Sequence, residues 1–235
     1  MAGKKGYGQY CPISRAAEIL TERWVPLVVR ELCCGSTRFG QLQSGLPRMS
    51  SALLSTRLKE LEYSGIVVRR PLEKGRGSEY HLTEAGKALF PVLESMGIWA
   101  QQWVRDDLVA PENLDPDLLM WDIRRTVLAQ EPPKPGRFVT QFQYSGVPAS
   151  RRRYWLLFEA RDVDLCVKDP GFEPGLYVSS HIRDMVRVWL GHVPLDRALR
   201  ENKITLEGAR ADVRNFRDWF ALSLFAPAGR EAMSG

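Results

Sequence analysis

Around residues 50–65 the chain lines small hydroxyls and cations along one helical repeat. Leu54, Leu58 and Leu61 fall at i, i+4 and i+7, the apolar stripe of a helix. At ~100° per residue, Ser55, Thr56 and Lys59 turn away from that stripe, while Ser51 and Arg57 flank it. Hydroxyls that donate or accept, beside a cation, let a helix approach base edges and phosphates without steric conflict. A solvated helix face has the same composition, so this helix decides nothing by itself. Two β-prone runs follow, residues 66–72 and 78–82, joined by Glu73-Lys74-Gly75-Arg76-Gly77. The glycines allow a sharp turn, and Lys74 and Arg76 carry charge to its tip.

Other chemistries find few residues to perform them. The four cysteines (Cys11, the adjacent Cys33 and Cys34, and Cys166) form no C-x-x-C pair, and only three histidines are present. No metal site is expected from that set. The chain contains no Gly-x-Ser-x-Gly, phosphate loop, His-Glu-x-x-His or dinucleotide glycine fingerprint, so neither catalysis nor a cofactor is expected. His81, His181 and His192 are scattered.

The elements around the hydroxyl-bearing helix read as helix, helix, helix, hairpin, helix. Residues 13–20 form a short helix. Trp24, Leu27, Val28 and Leu32 mark a second, which must begin near Glu22 because Pro26 is tolerated only in a first turn. Gly35 ends it, residues 38–44 make a third, and Ser50 offers an N-cap hydroxyl to the fourth, which Gly65 stops. A short helix, a tight turn, a longer helix and a basic-tipped hairpin spell a winged helix-turn-helix, with the longer helix in the major groove. Beyond the wing, Leu89, Val92, Leu93, Met96, Ala100 and Trp103 recur at helical spacing, with Pro91 expected to kink the helix. That stripe would serve a dimer interface or pack on a second domain.

The totals agree with a two-part chain. At 235 residues it exceeds the usual single-domain size. Residues 1–106 hold 15 Lys/Arg against 10 Asp/Glu, the whole net charge of +5, whereas residues 107–235 balance at 18 of each. A basic half beside a neutral one fits a polyanion-binding module fused to something else. The boundary is expected at residues 107–116, where Pro111, Asn113, Asp115 and Pro116 break periodicity. That gives a DNA-binding and dimerisation domain at 8–106, a linker, and a second domain at 117–226. No apolar run reaches the ~20 residues that cross a bilayer, and the N-terminus lacks the apolar core of a signal peptide. A cytoplasmic protein with no membrane partner is expected.

Tyr10-Cys11-Pro12-Ile13, Glu22-Arg23-Trp24, Val29-Arg30-Glu31-Leu32, Arg38-Phe39-Gly40-Gln41-Leu42 and Leu46-Pro47-Arg48-Met49-Ser50 occur in that order. Leu58-Lys59-Glu60-Leu61-Glu62, Gly65-Ile66-Val67 and Tyr80-His81-Leu82-Thr83-Glu84-Ala85-Gly86 follow. Over roughly residues 8–104 this series closely resembles the HxlR-type regulators, a branch of the MarR-like winged-helix proteins. The resemblance implies a homodimer on pseudo-palindromic double-stranded DNA. By position it makes Arg38, Ser50, Ser51, Ser55, Thr56, Arg57 and Lys59, with Lys74 and Arg76 in the wing, the candidate DNA contacts. It also places Cys11 where some relatives carry a redox-sensing thiol. Sensing requires a lowered pKa, for which Arg15 is the nearby cation, and a structural thiol is the alternative.

The second half reads as helix 117–130, strands 138–144, 154–160, 163–168 and 176–180, helices 182–190 and 195–201, strand 203–207 and helix 211–225. This is an α+β layout, one sheet with helices on a face. Arg151-Arg152-Arg153 reads as a basic hairpin tip. The element order and Leu206-Glu207-Gly208 resemble the sterol carrier protein-like fold, which implies an apolar container. Phe138, Phe142, Trp155, Leu157, Met185, Trp189 and Trp219 are then the candidate lining of a site for a small apolar ligand. The expectation is a homodimeric, ligand-responsive repressor. The alternatives are a second domain that is structural or dimerising only, or a lipid-binding protein with a vestigial winged helix.

Overall fold

The first three helices are set by prolines, a left-handed residue and glycine stops. The computed structural model describes residues 6–72, 75–128, 136–159 and 162–231. Helix α1 (Pro12–Leu20) opens on proline, and α2 (Val25–Cys33) follows Trp24, held in the left-handed region at φ 80°. Pro26 sits in the first turn of α2, where an amide N–H has no intrahelical partner to lose. After α3 (Phe39–Ser44), Ser50 caps α4 (Ser51–Tyr63) by accepting from the Leu53 N–H at 3.3 Å. Leu54, Leu58 and Leu61 are buried, joining Val25, Val28, Val29 and Leu32 of α2 and Leu42 of α3 in one core. Burial stabilises by about 1.5–3 kcal/mol per such side chain.

Strands β1 (Val67–Pro71) and β2 (Ser78–Leu82) pair antiparallel, Val67 opposite Leu82 and Pro71 opposite Ser78. An isolated bridge between Arg38 and Glu79 adds a third short edge to this wing. The helix expected after Thr83 comes in two pieces, α5 (Glu84–Lys87) and α6 (Phe90–Trp103). Pro91 therefore stands in the first turn of α6 and does not kink a continuous helix, because the break at Ala88–Leu89 removes the need for its N–H. Gly86 makes the first piece possible, since a Cβ there would lie 2.3 Å from the Ile66 carbonyl oxygen.

The chain divides into two compact units, Met1–Ser95 and Met96–Gly235. This division falls before the proline-rich stretch at residues 107–116 where the boundary is expected. It comes earlier because Gly97 and Gln101 pack within the second unit, Gly97 on the Phe225 ring and Gln101 on the Leu190 and Phe225 carbonyls.

In the second unit, α7 (Arg105–Leu108) and a 3-10 turn lead to α8 (Pro116–Leu128), whose first amides are accepted by Asp115 Oδ1. The chain then forms β3 (Phe138–Ser145), β4 (Arg153–Glu159), β5 (Asp162–Cys166) and β6 (Leu176–His181). Helices α9 (Ile182–Trp189) and α10 (Leu195–Arg200), strand β7 (Ile204–Gly208), and helices α11 (Arg210–Trp219) and α12 (Ala226–Glu231) complete it. The sheet order is β5-β4-β3-β6-β7, with only β3 and β6 parallel. Residues of α8 to α11 share one core with alternate strand residues such as Phe142, Tyr154, Phe158 and Val178. The helices thus cover one face of the sheet, as expected for the α+β layout.

Helix α11 is shorter than the expected 211–225. It stops at Trp219, and after Phe220 the chain leaves helical geometry so that the Ser223 N–H reaches the Trp189 carbonyl at 3.0 Å. Residues 129–130 and 160, expected in a helix and a strand, and the expected turn at 131–135 lie outside the described residues.

Candidate nucleic-acid interface

The exposed arc of α4 carries the side chains that the sequence singles out. Ser51, Thr56 and Lys59 are exposed and Ser55 is half-buried. The Thr56 hydroxyl donates to the Ala52 carbonyl at 3.1 Å, leaving its lone pairs outward. Ser50, exposed, accepts from Leu53 and keeps its O–H proton free to donate. Lys59 makes no ion pair among the described residues, which leaves its charge available to a phosphate.

Arg57 is placed differently. Its Nε donates to the Arg23 carbonyl at 3.1 Å, Nη2 pairs with Glu22 at 3.1 Å and Nη1 with Glu60 at 2.5 Å. Only 14% of the side chain is exposed, so the guanidinium clamps α4 to the turn before α2. The helical repeat puts it beside the apolar stripe, and that is where it finds its partners.

The wing is closed by the Leu72 N–H donating to the Gly77 carbonyl at 3.2 Å, with Gly75 and Gly77 in positive-φ conformations. Arg76 is exposed and makes no ion pair among the described residues, whereas Lys74 lies outside them. Arg38 is mostly exposed and reaches Glu79 at 3.4 Å, and Glu79 also faces His81 Nε2 at 3.3 Å. The basic surface extends beyond the expected set to Arg69 and Arg70, both exposed on β1. Arg69 donates to the Ser78 hydroxyl at 2.9 Å. The signal for them was the arginine doublet at the end of a strand leading into a basic loop.

Cys11 is half-buried at the N-cap of α1, where its carbonyl accepts from the Ser14 hydroxyl at 2.8 Å. Arg15, the cation expected to activate it, pairs with Glu18. Burial, then the neighbouring Cys34, pushes the Cys33 thiol up, and burial with Asp164 does the same to Cys166. Among the described residues no cluster of His, Cys, Asp or Glu could hold a metal ion.

The candidate apolar lining divides between two faces of the sheet. Phe138, Phe142, Met185, Trp189 and Trp219 lie in the core beneath the helices. A continuous aromatic string joins three of them: Phe138–Phe158 at 5.8 Å, Phe158–Trp219 at 5.3 Å, Trp219–Phe216 at 5.0 Å, Phe216–Phe220 at 4.8 Å and Phe220–Trp189 at 6.4 Å. Trp155 and Leu157 are on the opposite face, because they alternate with the core residues Tyr154, Leu156 and Phe158.

Comparison with known proteins bears on the first unit. Residues 19–108 match the model of the HxlR-like helix-turn-helix family. The HTH-type transcriptional regulator YvaP of Bacillus subtilis is 44% identical over 98 residues, 41% of this chain and 91% of that protein. The solved reduced form of the transcriptional regulator YodB from B. subtilis is 36% identical and covers 42% of this chain and 98% of its own, with a TM-score of 0.37. A sterol carrier protein 2 like 2 structure from Aedes aegypti is 21% identical over 43% of this chain and 91% of its own, with a TM-score of 0.33. With a winged helix-turn-helix in its first unit and a match to 91% of the length of such a regulator at 44% identity, this chain belongs to the HxlR-like helix-turn-helix family.

Proposed function

We propose that this chain is a homodimeric transcriptional repressor that reads double-stranded DNA through α4 and the wing and answers to a small ligand in its second unit. The observation that carries the DNA-binding part is the exposed Lys59 beside Ser51 and Thr56 on α4, with exposed Arg76 at the wing tip, neither in an ion pair among the described residues. The hydroxyls and Ser55 face the major groove, Lys59 meets phosphate or base edge, and Arg38, Arg76 and Lys74 hold the flanking backbone. Arg57 orients the helix and touches no DNA.

Dimerisation rests on α6. Val92, Met96, Trp99 and Trp103 are exposed there, Trp99 by 57% and Trp103 by 72%, while Leu89 and Leu93 pack on the first-unit core. Contiguous exposed aromatics of this size mark an interaction surface. A second copy of the same helix covers them with like chemistry.

Ligand binding rests on two buried polar atoms of the second unit. Thr140 Oγ1 and Trp219 Nε1 are buried with no hydrogen-bond partner among the described residues. Each costs about 1–3 kcal/mol unless something satisfies it. An apolar molecule with one polar end, set against the aromatic string, would do so. Fluorescence anisotropy on duplex DNA from the protein's own promoter, at fixed salt with and without decanoate, tests this reading. Binding that decanoate weakens at least about tenfold supports it. Binding that is absent without ligand removes the repressor, and binding indifferent to decanoate and to longer fatty acids removes the sensor.

A further inference from the structure

The second unit carries a cleft of 540 Å³ whose chemistry is opposite to that of the aromatic interior. It opens at one end of the sheet, where the carboxyl ends of the parallel strands β3 and β6 meet the starts of β4 and β7. The strand register puts Ser145 beside His181 and Ser179 beside Thr205, and the Tyr144 N–H donates to the Arg152 carbonyl at 2.8 Å. From Arg152, just before β4, to Lys203, just before β7, the cleft therefore spans three strand spacings, about 14 Å.

Its lining is hydroxyl, amide and charge. Apart from Tyr144, whose ring belongs to the core, no apolar side chain contributes. Arg152 is exposed and makes no ion pair among the described residues. Lys203 contacts Glu201 at 2.8 Å, but that carboxylate also serves Arg197 at 2.7 Å, so the lysine is not neutralised one for one. Asp184 likewise makes no ion pair among the described residues.

The turn geometry holds this arrangement open. Gly146, at φ 77°, lies against the His181 ring, and a Cβ there would fall 2.2 Å from Nε2. Asn202 holds φ 54°, one of two non-glycine residues with positive φ among those described. His181 accepts from the Arg183 N–H at Nδ1, 3.2 Å, which fixes its ring at the mouth.

We infer that this cleft binds a small polyhydroxylated acid, of the sugar-phosphate or sugar-carboxylate class, with its acidic group on Arg152 and its hydroxyls on Asp184 and Thr205. A sugar hydroxyl donates and accepts at once, and a lining that mixes carboxylate, hydroxyl and amide groups satisfies both roles. The surplus cation selects the acid, since an arginine fork matches a carboxylate or phosphate bidentately.

Isothermal titration calorimetry on the full chain, with glucose 6-phosphate and gluconate as separate probes, tests the inference and tells the two acid classes apart. At least one acid binds, while glucose and inorganic phosphate each bind at least about tenfold more weakly. Arg152→Ala weakens the acid at least about tenfold with an unchanged melting temperature, and Asp184→Asn reduces hydroxyl-dependent affinity. The inference is overturned if neither acid binds at about millimolar concentration. Inorganic phosphate binding as tightly as the acids would overturn it too, as would unaltered affinity in Arg152→Ala. Loss of duplex-DNA binding in Arg152→Ala, with no acid bound, would assign the arginine to DNA instead. Decanoate is a separate probe, so failure here leaves the apolar-ligand reading to its own test.

Discussion

Arg57→Ala separates a residue that builds the DNA-reading helix from those that use it. The substitution removes a hydrogen bond to the Arg23 carbonyl, an ion pair with Glu22 and one with Glu60. A hydrogen bond with a charged partner contributes about 1.5–3 kcal/mol when buried. Here Glu22 is 33% exposed and Glu60 41%, so solvent screens both ion pairs and the Arg23 bond dominates. The expected loss is about 2 kcal/mol, and in a unit of ~95 residues each kcal/mol moves the melting temperature by about 4–8 °C. Differential scanning calorimetry should place Arg57→Ala about 8–16 °C below wild type, with the salt dependence of DNA binding unchanged for the folded fraction. Lys59→Ala, on the outward face of the same helix, should melt with the wild type and lose DNA affinity. An Arg57→Ala protein that melts normally but loses a phosphate contact would refute the clamp.

Gly45→Ala would place a methyl 1.9 Å from the carboxylate of Glu31, which is buried and held by Arg30 at 2.8 Å and Ser36 at 3.3 Å. The carboxylate has no room to yield, so a destabilisation of about 1–3 kcal/mol should appear in urea titrations. His192 is buried against Gln101 at 2.7 Å, and burial, then Arg105 and Arg187, lowers its pKa from 6.5 to about 4. The unfolded chain therefore binds a proton that the folded chain refuses, and stability falls as pH drops from 6.5 towards 4, by at most about 3 kcal/mol. Stability measured across that window should fall less steeply in His192→Gln, and equal slopes would remove His192 as the cause. Trp99→Glu with Trp103→Glu should halve the mass seen by sedimentation equilibrium, and an unchanged mass would place the dimer contact elsewhere.

What the sequence disclosed was local. Helix α4 could be read because its cap, apolar stripe and glycine stop lie within sixteen residues, and the wing because its glycines sit between two β-prone runs. The clamp made by Arg57 was hidden for the opposite reason: the carbonyl that claims it belongs to Arg23, 34 residues earlier. Strand parity caused the division of the apolar list. Trp155 and Phe158 are equally aromatic, and only the placement of α8 to α11 decides which face is core. The expected helix 211–225 failed where a backbone amide found a tertiary partner, as Ser223 does on Trp189. The polar cleft draws on four strand ends and two turns across residues 143–205, and no stretch of sequence holds enough of it to be seen.

If α4 and the wing hold DNA through Lys59 and Arg76, the strength of that hold must depend on salt through those two cations. The direct measurement is the salt dependence of duplex binding by the Lys59→Ala, Arg76→Ala double variant beside wild type. Each lost phosphate contact should flatten the slope of log K against log salt by about 0.9, so two contacts give about 1.8 per protomer and twice that in a dimer. Equal slopes and equal affinities in the two proteins would contradict the account.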